Sequence, residues 1–474
     1  MKAATGEQRM RRIKLAYIGG GSKAWARVFM NDLALTEGLS GEIALYDIDR
    51  AAAERNRRIG ERLQALPEAV SDWRYTVAET LEEALTGADF VACSILPGTF
   101  DDMAADVHLP ERFGIYQSVG DTVGPGGVLR AMRTVPLYEG FADAIRRFCP
   151  NAWVINLTNP MTICCKTLFE TFPGIKAFGC CHEVFHTEDF LCCVLKEVLG
   201  VPRPDRHELT VNIAGINHFT WITEARWRDI DVLSLLPAFM DHYYNSGYCE
   251  QGDDPKAFLS DNPFLYGNRV KMDLFRRFGA LGAAGDRHLV EFMNNRWYIG
   301  DPAAVKAWGY HLTTVDYRKA DQKKKLDESE AIANGQKTPT LHKSDEELIP
   351  LMKAILGFGP VVSNANVVNV GQLGQLPSGA VVETNCLFDA DSVRPMAAKP
   401  LPDTAAQLVR RNSDNIDALF SAIRARDRNA IFEVFMNQPL CSTLTVAEGR
   451  EHFAGMVRAT QSCLAPYYDL GGIE

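Results

Sequence analysis

The chain has 474 residues, a formal net charge of −10 at neutral pH and 23% charged residues. This length exceeds that of one ordinary domain and predicts a large buried core. The negative charge argues against nucleic acid and anionic membranes as partners. No run of about 18 or more apolar residues predicts a membrane span, and glycines rather than an apolar segment follow the basic N-terminus, which is not typical of a signal peptide.

The first predicted element is a buried strand over Ile13–Ile18, which runs into a G-x-G-x-x-A turn from Gly19 to Ala24. A helix is predicted after this turn, and a second strand then ends in Asp47. Glycines at such a turn allow the backbone to approach a pyrophosphate at a helix N-terminus, and an acid at the end of the second strand can accept from ribose hydroxyls. An acid rather than an arginine at that place favours NAD over NADP. The residues predicted to bind the cofactor are Gly19, Gly21, Ser22, Asp47, Ile95 and Gly98.

Strands and helices continue to alternate, with further strands predicted at 73–77, 89–95, 152–157 and 175–180. This alternation predicts an α/β fold with a Rossmann-type, doubly wound parallel sheet. The pattern changes after about residue 200, so we expect an NAD-binding domain over 1–200. A second, α+β domain over 201–474 is expected to bind substrate and metal and to carry the oligomer contacts. Within it, the highly charged run 319–337 is predicted to be a solvated helix or an exposed loop.

Cys181, His182 and Glu183 stand side by side at the strand-to-helix turn that follows the 175–180 strand. Two interpretations compete for this stretch. In the first, His182, Glu183 and His186 form an H-E-x-x-H zinc motif with the glutamate as general base. In the second, Cys181 is the metal ligand and the two residues after it face the substrate. The carboxyl ends of strands are where α/β sheets bind ligands, which is compatible with either interpretation.

Polar side chains also mark three other places. Asn159 precedes a proline and is therefore held extended, either with its amide free to bind a sugar hydroxyl or as part of a plain Asx turn. His218 follows a predicted strand, and on its own is as readily interpreted as a core histidine. A small-residue run leads into Asp286-Arg287-His288, which brings a carboxylate, a guanidinium and an imidazole together.

Five motifs in chain order resemble glycoside hydrolase family 4, the NAD- and divalent-metal-dependent glycosidases. They are Gly19-x-Gly21-Ser22, the turn from Gly120 to Gly127, Asn159-Pro160, Cys181-His182-Glu183-Val184 and Asn217-His218. The likeness extends over essentially the whole chain, and the family's fold resembles that of lactate and malate dehydrogenases. The Cys-His-Glu-Val signature resembles the α-galacturonidase branch.

The resemblance implies that Cys181 and His218 are metal ligands and that the metal is Mn²⁺, although a thiolate and an imidazole would also suit zinc, iron or nickel. Two protein ligands leave positions open for substrate and water, as a catalytic ion requires. Asn159 would hold the sugar near the metal.

In the family's mechanism, NAD⁺ takes hydride from C3 of the sugar, a base removes the C2 proton, and the aglycone leaves from C1. Water then adds, and NADH returns the hydride. By position Asp286 matches the base, although some relatives use a tyrosine. His182 is the predicted leaving-group acid, because an imidazole near its ordinary pKa can donate at neutral pH, and Glu183 is the alternative acid and a substrate contact.

The predicted substrate is an unphosphorylated α-linked uronide, with α-D-galacturonide preferred. Many relatives have an arginine-rich loop where this chain has the acidic run Gly98–Asp106, whose carboxylates are expected to repel a phosphate. Arg287 could bind the sugar carboxylate with a planar, bidentate fork. An α-glucuronidase or α-galactosidase of the same family and a malate- or lactate-type NAD dehydrogenase are the alternatives.

The twelve cysteines include the adjacent pairs 164–165, 180–181 and 192–193, which do not have the spacing of a disulfide framework. Neighbouring cysteines of this kind are typical of small buried hydrophobic residues. We therefore expect a reduced, cytoplasmic protein, with a small sugar as its partner and a homo-oligomer, dimer or tetramer, as its assembly.

Overall fold

The computed structural model describes residues 10–23, 25–252 and 254–470. Ala24, the last residue of the predicted G-x-G-x-x-A turn, lies outside the described residues. The strands are β1 Arg11–Ile18, β2 Leu39–Tyr46, β3 Trp73–Val77, β4 Phe90–Cys93, β5 Trp153–Asn156, β6 Lys176–Gly179, β7 Leu209–Ile216, β8 Phe219–Trp227, β9 Ile230–Asp231, β10 Leu281–Gly282, β11 Val361–Val368, β12 Val381–Asp389 and β13 Ser392–Pro395.

The helices alternate with the strands in the first part of the chain and predominate in the last part. They are α1 Trp25–Ala34, α2 Arg50–Gln64, α3 Leu81–Leu85, α4 Phe100–His108, α5 Gly124–Phe148, α6 Met161–Thr171, α7 Glu183–Leu199, α8 Leu236–Tyr243, α9 Arg269–Phe278, α10 Asp286–Leu289, α11 Asn295–Tyr298, α12 Pro302–Ala307, α13 Val315–Ala333, α14 Leu348–Ile355, α15 Asp403–Arg424, α16 Arg428–Met436, α17 Val446–Ala459 and α18 Gln461–Leu464. In the part of the chain that the structure describes, no helix is both long and apolar enough to cross a membrane.

The first six strands pair in parallel in the order β3-β2-β1-β4-β5-β6. This is the strand order of dinucleotide-binding sheets, which bind their ligand where the order reverses, here between β1 and β4. Leu15 and Tyr17 pack in the core on one face of the sheet, whereas Ala16 and Ile18 pack in the core on the other. Such burial on both faces is typical of a central parallel strand. The predicted Rossmann-type sheet is confirmed.

The sheet does not end at β6. Strand β11 joins it in antiparallel orientation through Asn366 and Gly179, and β12, β7, β8 and β10 follow. The described strands therefore form one sheet that continues across residue 200. The two-domain division at that residue stays a prediction.

Helix α13 covers most of the charged run that the sequence marks as solvated. It packs against the Rossmann half, where Arg55 Nε of α2 lies 2.6 Å from Glu330 Oε1. One of its cationic residues, Arg318, is directed into the protein rather than toward solvent, since its Nε is buried.

Candidate active site

Four parallel strands end at one edge of the sheet, and each is followed within three residues by a candidate site residue. Strand β1 leads into Gly19, β4 into Ile95, β5 into Asn159 and β6 into Cys181. Because the strands are parallel and in register, the residues that follow them meet at the same edge. The structure therefore brings the candidates from the first half of the chain together.

The glycine turn after β1 has room for glycine alone. A Cβ on Gly19, whose φ is +92°, would lie 1.9 Å from the carbonyl oxygen of Ser94, and a Cβ on Gly21 would lie 2.6 Å from Cβ of Ala52. The N–H of Gly21 donates to Oδ2 of Asp47 at 2.8 Å. Because these positions lack a Cβ, a dinucleotide can approach the turn closely, so the residues fit a dinucleotide.

The other predicted cofactor residues stabilise the same region. The backbone N–H of Ser22 donates to the carbonyl of Gly19 at 2.9 Å, and that of Ile95 donates to Oγ1 of Thr158 at 2.9 Å. Gly98 has a φ of +89° and lies against the Arg133 side chain. The second carboxylate oxygen of Asp47 accepts from a neighbouring backbone N–H. Direct contact of these residues with NAD stays a prediction.

Three potential metal ligands converge beside this edge. Among the described residues, one group of three or more such side chains has all its donor atoms within 4.8 Å of one another, and it consists of Asp121, His218 and His288. Asp121 precedes α5, His218 lies in the two-residue turn between β7 and β8 with a φ of +62°, and His288 belongs to α10. One carboxylate oxygen and two imidazole nitrogens suit a divalent transition metal.

The Thr122 hydroxyl determines which nitrogen of His218 is free. Its Oγ1 lies 2.8 Å from Oδ1 of Asp121 and 2.9 Å from Nδ1 of His218. A carboxylate can only accept, so the hydroxyl donates to Asp121 and accepts from the Nδ1–H of His218. The Nε2 lone pair of His218 is then available to a metal. Burial, together with neighbouring His288, lowers the pKa of His218 to about 3, which keeps this imidazole neutral.

Glu183 orients His288 in a similar way. Its Oε1 lies 3.3 Å from Nε2 of His288, and its Oε2 accepts the N–H of Gly285 at 2.8 Å. Burial alone would raise the pKa of Glu183, but His288 and the other nearby imidazoles hold it well below its ordinary value. A buried, ionised carboxylate behind an imidazole is the usual support of a metal-binding histidine. Contact of Glu183 with substrate stays a prediction.

Cys181 and Asn159 flank the group of three ligands. Cys181 is buried, its thiol interacts with the side-chain amide of Asn217, and burial and Glu383 raise its pKa well above the ordinary value. Its thiol is not one of the three grouped donors among the described residues. Nδ2 of Asn159 lies 3.4 Å from Oδ2 of Asp121, and its buried Oδ1 has no partner in the described protein. An unpartnered buried oxygen is a candidate contact for a ligand.

His182 is partly exposed, with 31% of its side chain accessible, and its Nε2 lies 3.9 Å from Oε1 of Glu183. Its Nδ1 is 3.3 Å from Oε1 of Glu346, and its ring stacks on Trp25 with centroids 5.3 Å apart. Burial would lower the pKa of His182, but the Glu346 carboxylate outweighs it and raises the pKa. His186 contacts His182 edge to face. Neither histidine joins a group of three potential ligands in the described residues, so the geometry does not support the H-E-x-x-H interpretation.

Asp286 is fully buried and accepts two backbone N–H groups at the start of α9, from Val270 at 3.1 Å and Lys271 at 2.9 Å. Burial, only partly offset by Lys271, raises its pKa to about 6. A carboxyl with that pKa suits a general base at neutral pH. Nearby, the buried hydroxyl of Tyr266 has no partner in the described protein.

Arg287, the predicted carboxylate ligand, is 6% exposed. Its Nη1 donates to Oγ1 of Thr313 at 2.5 Å, and its Nε is buried without a partner among the described residues. Such a guanidinium can still donate to a ligand.

The acidic run after β4 differs from its prediction. Residues 100–108 form helix α4 rather than a loop, and Thr99 caps this helix together with Asp102. Asp106 forms a fully buried ion pair with Arg133, and Asp101 pairs at the surface with Lys319. The charges of Asp101 and Asp106 are therefore neutralised by neighbouring cations. The predicted repulsion of phosphate by this run is not supported.

Sequence reasoning missed Asp121, Thr122 and His288 as members of the site. Asp121 and Thr122 belong to the glycine-rich turn at 120–127, and His288 belongs to the run that also contains Asp286. Their residue types were visible signals, but nothing local indicated that the loop before α5 meets the β7–β8 turn.

Comparison with known proteins agrees with this architecture. The model of the family 4 glycosyl hydrolases matches residues 14–197, and that of the family 4 glycosyl hydrolase C-terminal domain matches residues 213–441. The chain belongs to family 4 of the glycosyl hydrolases. An alpha-galacturonidase from Thermoanaerobacterium saccharolyticum is 47% identical over 452 residues, which cover 95% of this chain and 96% of that protein.

Two solved structures show the same fold. The crystal structure of lplD from Bacillus subtilis has a TM-score of 0.89 and 44% identity, and the match covers 94% of this chain and 99% of that one. A 6-phospho-alpha-glucosidase from gut microorganisms, solved in complex with NAD and Mn²⁺, has a TM-score of 0.78 at 21% identity and covers 96% of this chain and 99% of its own.

Proposed function

We propose that this chain is an NAD- and divalent-metal-dependent glycosidase that hydrolyses α-galacturonides. The observation that carries the proposal is the convergence, at one edge of the sheet, of the glycine turn with the Asp121–His218–His288 group. A plain dehydrogenase has no need of the second feature. The 47% identity to a protein named alpha-galacturonidase supports the choice of substrate.

Bound NAD would supply a hydride acceptor and donor, and a bound Mn²⁺ would supply a Lewis acid for a sugar oxygen. The backbone around Gly19 and Gly21 would hold the dinucleotide, with Asp47 next to its ribose. His218 would hold the ion together with Asp121 and His288, or together with Cys181 as the family resemblance implies.

Two side chains would move protons. Asp286 would take the C2 proton of the sugar, since a pKa of about 6 leaves it ionised at neutral pH. His182 would protonate the leaving oxygen, because it is partly exposed beside Glu183 and Glu346 favours its charged form. The amide of Asn159 would orient a sugar hydroxyl beside Asp121.

The proposal is tested by assaying p-nitrophenyl α-galacturonide, α-glucuronide, α-galactoside and α-glucoside 6-phosphate with NAD⁺, Mn²⁺ and a thiol reductant. We expect the galacturonide to have the highest kcat/KM, no net NADH, and deuterium at C2 of the product sugar in D₂O. Stoichiometric NADH would indicate a dehydrogenase, and full turnover without C2 deuterium would exclude elimination. Preference for another glycoside would change the substrate and leave the mechanism intact.

We also propose a cytoplasmic, homo-oligomeric protein. All the cysteines are free, and all but Cys463 are buried, which is compatible with a reducing compartment. Light scattering coupled to size-exclusion chromatography would determine whether the assembly is a dimer or a tetramer.

A further inference from the structure

Three arginines from different parts of the chain approach the Asp121 side of the site. Arg130 is on α5, Arg287 on α10 and Arg318 on α13. Arg130 is 5% exposed and Arg287 is 6% exposed, and Nε of Arg318 is buried. Arg318 as a whole residue is half-buried. Arginines as buried as Arg130 and Arg287 are almost always paired, so these charges require neutralising groups.

The described part of the protein supplies too few anions to neutralise these three arginines. Within the described ranges, no carboxylate oxygen lies within 4.0 Å of any of the three guanidinium groups. The contacts they do make are to neutral oxygens, from Arg130 Nε to the Asn159 carbonyl at 3.2 Å and from Arg287 Nη1 to Thr313. One N–H position of each remains buried and unpartnered, namely Nη1 of Arg130, Nε of Arg287 and Nε of Arg318.

The three cations also act on one another. Burial lowers the pKa of Arg318 to about 10; Asp121 opposes this effect, whereas the charges of Arg287 and Arg130 add to it. Asp121 is thus the carboxylate with the largest effect on Arg318 and on Arg130, and it is also a candidate metal ligand. Glu291, the second anion near Arg318, accepts the backbone N–H groups of Val119 and Gly120. With a divalent cation at Asp121, the positive charge of this corner would be greater still.

We propose that Arg318, together with Arg287, forms the subsite that binds the ring carboxylate of the uronide, with Arg130 adding positive charge behind it. This inference rests on the proposed function. An Nε–H and an adjacent Nη–H form one edge of the guanidinium fork, and that edge matches the two oxygens of a carboxylate. Arg287 and Arg318 both have this Nε–H free, so a carboxylate between them satisfies donors that the fold leaves unpaired. A neutral galactoside cannot do so.

The test compares Arg318→Met with wild type on p-nitrophenyl α-galacturonide and α-galactoside. Losing a charge-assisted hydrogen bond should lower kcat/KM for the galacturonide by about 10- to 100-fold, mostly through KM, and change that for the galactoside far less. Lys319→Met is the matched control, because Lys319 is the next residue of the same helix and pairs with Asp101 at the surface. It should leave both substrates unchanged.

Arg318→Lys retains the positive charge but removes the guanidinium fork. This second variant allows the same comparison if Arg318→Met does not fold. It should also lower the ratio of galacturonide to galactoside activity. Equal losses on both substrates, or a lysine variant with the wild-type ratio, would overturn the carboxylate subsite while the proposed function stands. Preference of the wild type for the neutral galactoside would instead overturn the proposed substrate, so the two failures are distinguishable.

Discussion

Nδ1 of His218 lies 2.9 Å from the hydroxyl oxygen of Thr122, and this contact leaves Nε2 of the imidazole free to bind a metal. The two residues are 96 positions apart in the chain. Thr122→Val retains the shape of the side chain but removes the acceptor for Nδ1–H. We expect it to weaken Mn²⁺ binding about 10- to 100-fold, as loss of such a supporting contact usually does, and to leave NAD affinity unchanged.

Titration calorimetry with each ligand would measure this effect. Thr167→Val is a suitable control, because Thr167 is also buried but bonds to a backbone carbonyl within α6. Equal Mn²⁺ affinities of the Thr122 variant and wild type would contradict the assigned role of the hydroxyl.

The metal content of alanine variants tests whether the two ligand sets hold one ion together or whether one set holds it alone. We expect His218→Ala to lose Mn²⁺, because His218 belongs to both sets, and we expect Cys181→Ala and His288→Ala to lose it as well. His186→Ala should retain the ion, since His186 contacts His182 rather than the three grouped ligands. Elemental analysis after gel filtration gives the result. If only the Cys181 variant of these two retained the ion, the ligands would be Asp121, His218 and His288. If only the His288 variant retained it, the ligands would be Cys181 and His218, the pair that the family resemblance implies.

Asp286 and Tyr266 are the two candidates for the base, and exchange at C2 separates them. Asp286→Asn should abolish incorporation of deuterium at C2 of the sugar, because its carboxylate is expected to be ionised at neutral pH. Tyr266→Phe should reduce exchange much less, because burial raises the pKa of that phenol well above its ordinary value. Thermal unfolding should accompany the assay, since Asp286 also accepts two N–H groups of α9. If only the Tyr266 variant stopped exchange, the role would pass to the tyrosine.

Gly21→Ala should weaken NAD binding. The added Cβ would lie 2.6 Å from Cβ of Ala52, and overpacking of this kind costs about 1–3 kcal/mol. If that cost falls on the NAD-binding conformation of the turn, Kd for NAD rises about tenfold or more. Fluorescence titration would measure Kd. Gly140→Ala is the control, because a Cβ there meets no atom within 4 Å in α5 and should be neutral or stabilising. An unchanged Kd for the Gly21 variant would argue that NAD does not use this turn.

Stability should fall between about pH 5 and pH 8 because of Glu188. Burial raises its pKa from 4.5 to about 8, against the opposing charge of Arg206. The folded state therefore holds a proton that the unfolded state has lost in this window. The resulting stabilisation is complete below the unfolded pKa and disappears as the pH approaches 8. Glu188→Gln cannot ionise, so its Tm should fall less than that of wild type as the pH rises. Exposed Glu451→Gln should follow wild type, and parallel curves for all three proteins would refute the assignment.

The sequence alone determined the features that depend on short segments. The glycine turn, the acid at Asp47 and the alternation of strands and helices predict the parallel sheet, because backbone conformation and burial on both faces leave a local pattern. The placement of Asn159 and Cys181 at one edge also follows, since parallel strands end on the same side. Such patterns did not predict the structure of the acidic run after β4. The charges alone do not indicate that this run forms a helix or that Asp106 is buried against Arg133.

Only the tertiary structure decided which polar residues meet. Asp121, His218 and His288 come from a loop, a hairpin turn and a short helix, and no local period relates them. The antiparallel strands that extend the sheet beyond β6 bring them together. Arg318 shows the same limit, because a helix with charges on every side has no apolar stripe to indicate its buried face. Its inward direction follows from how α13 packs across the Rossmann half, a contact between residues far apart in the chain.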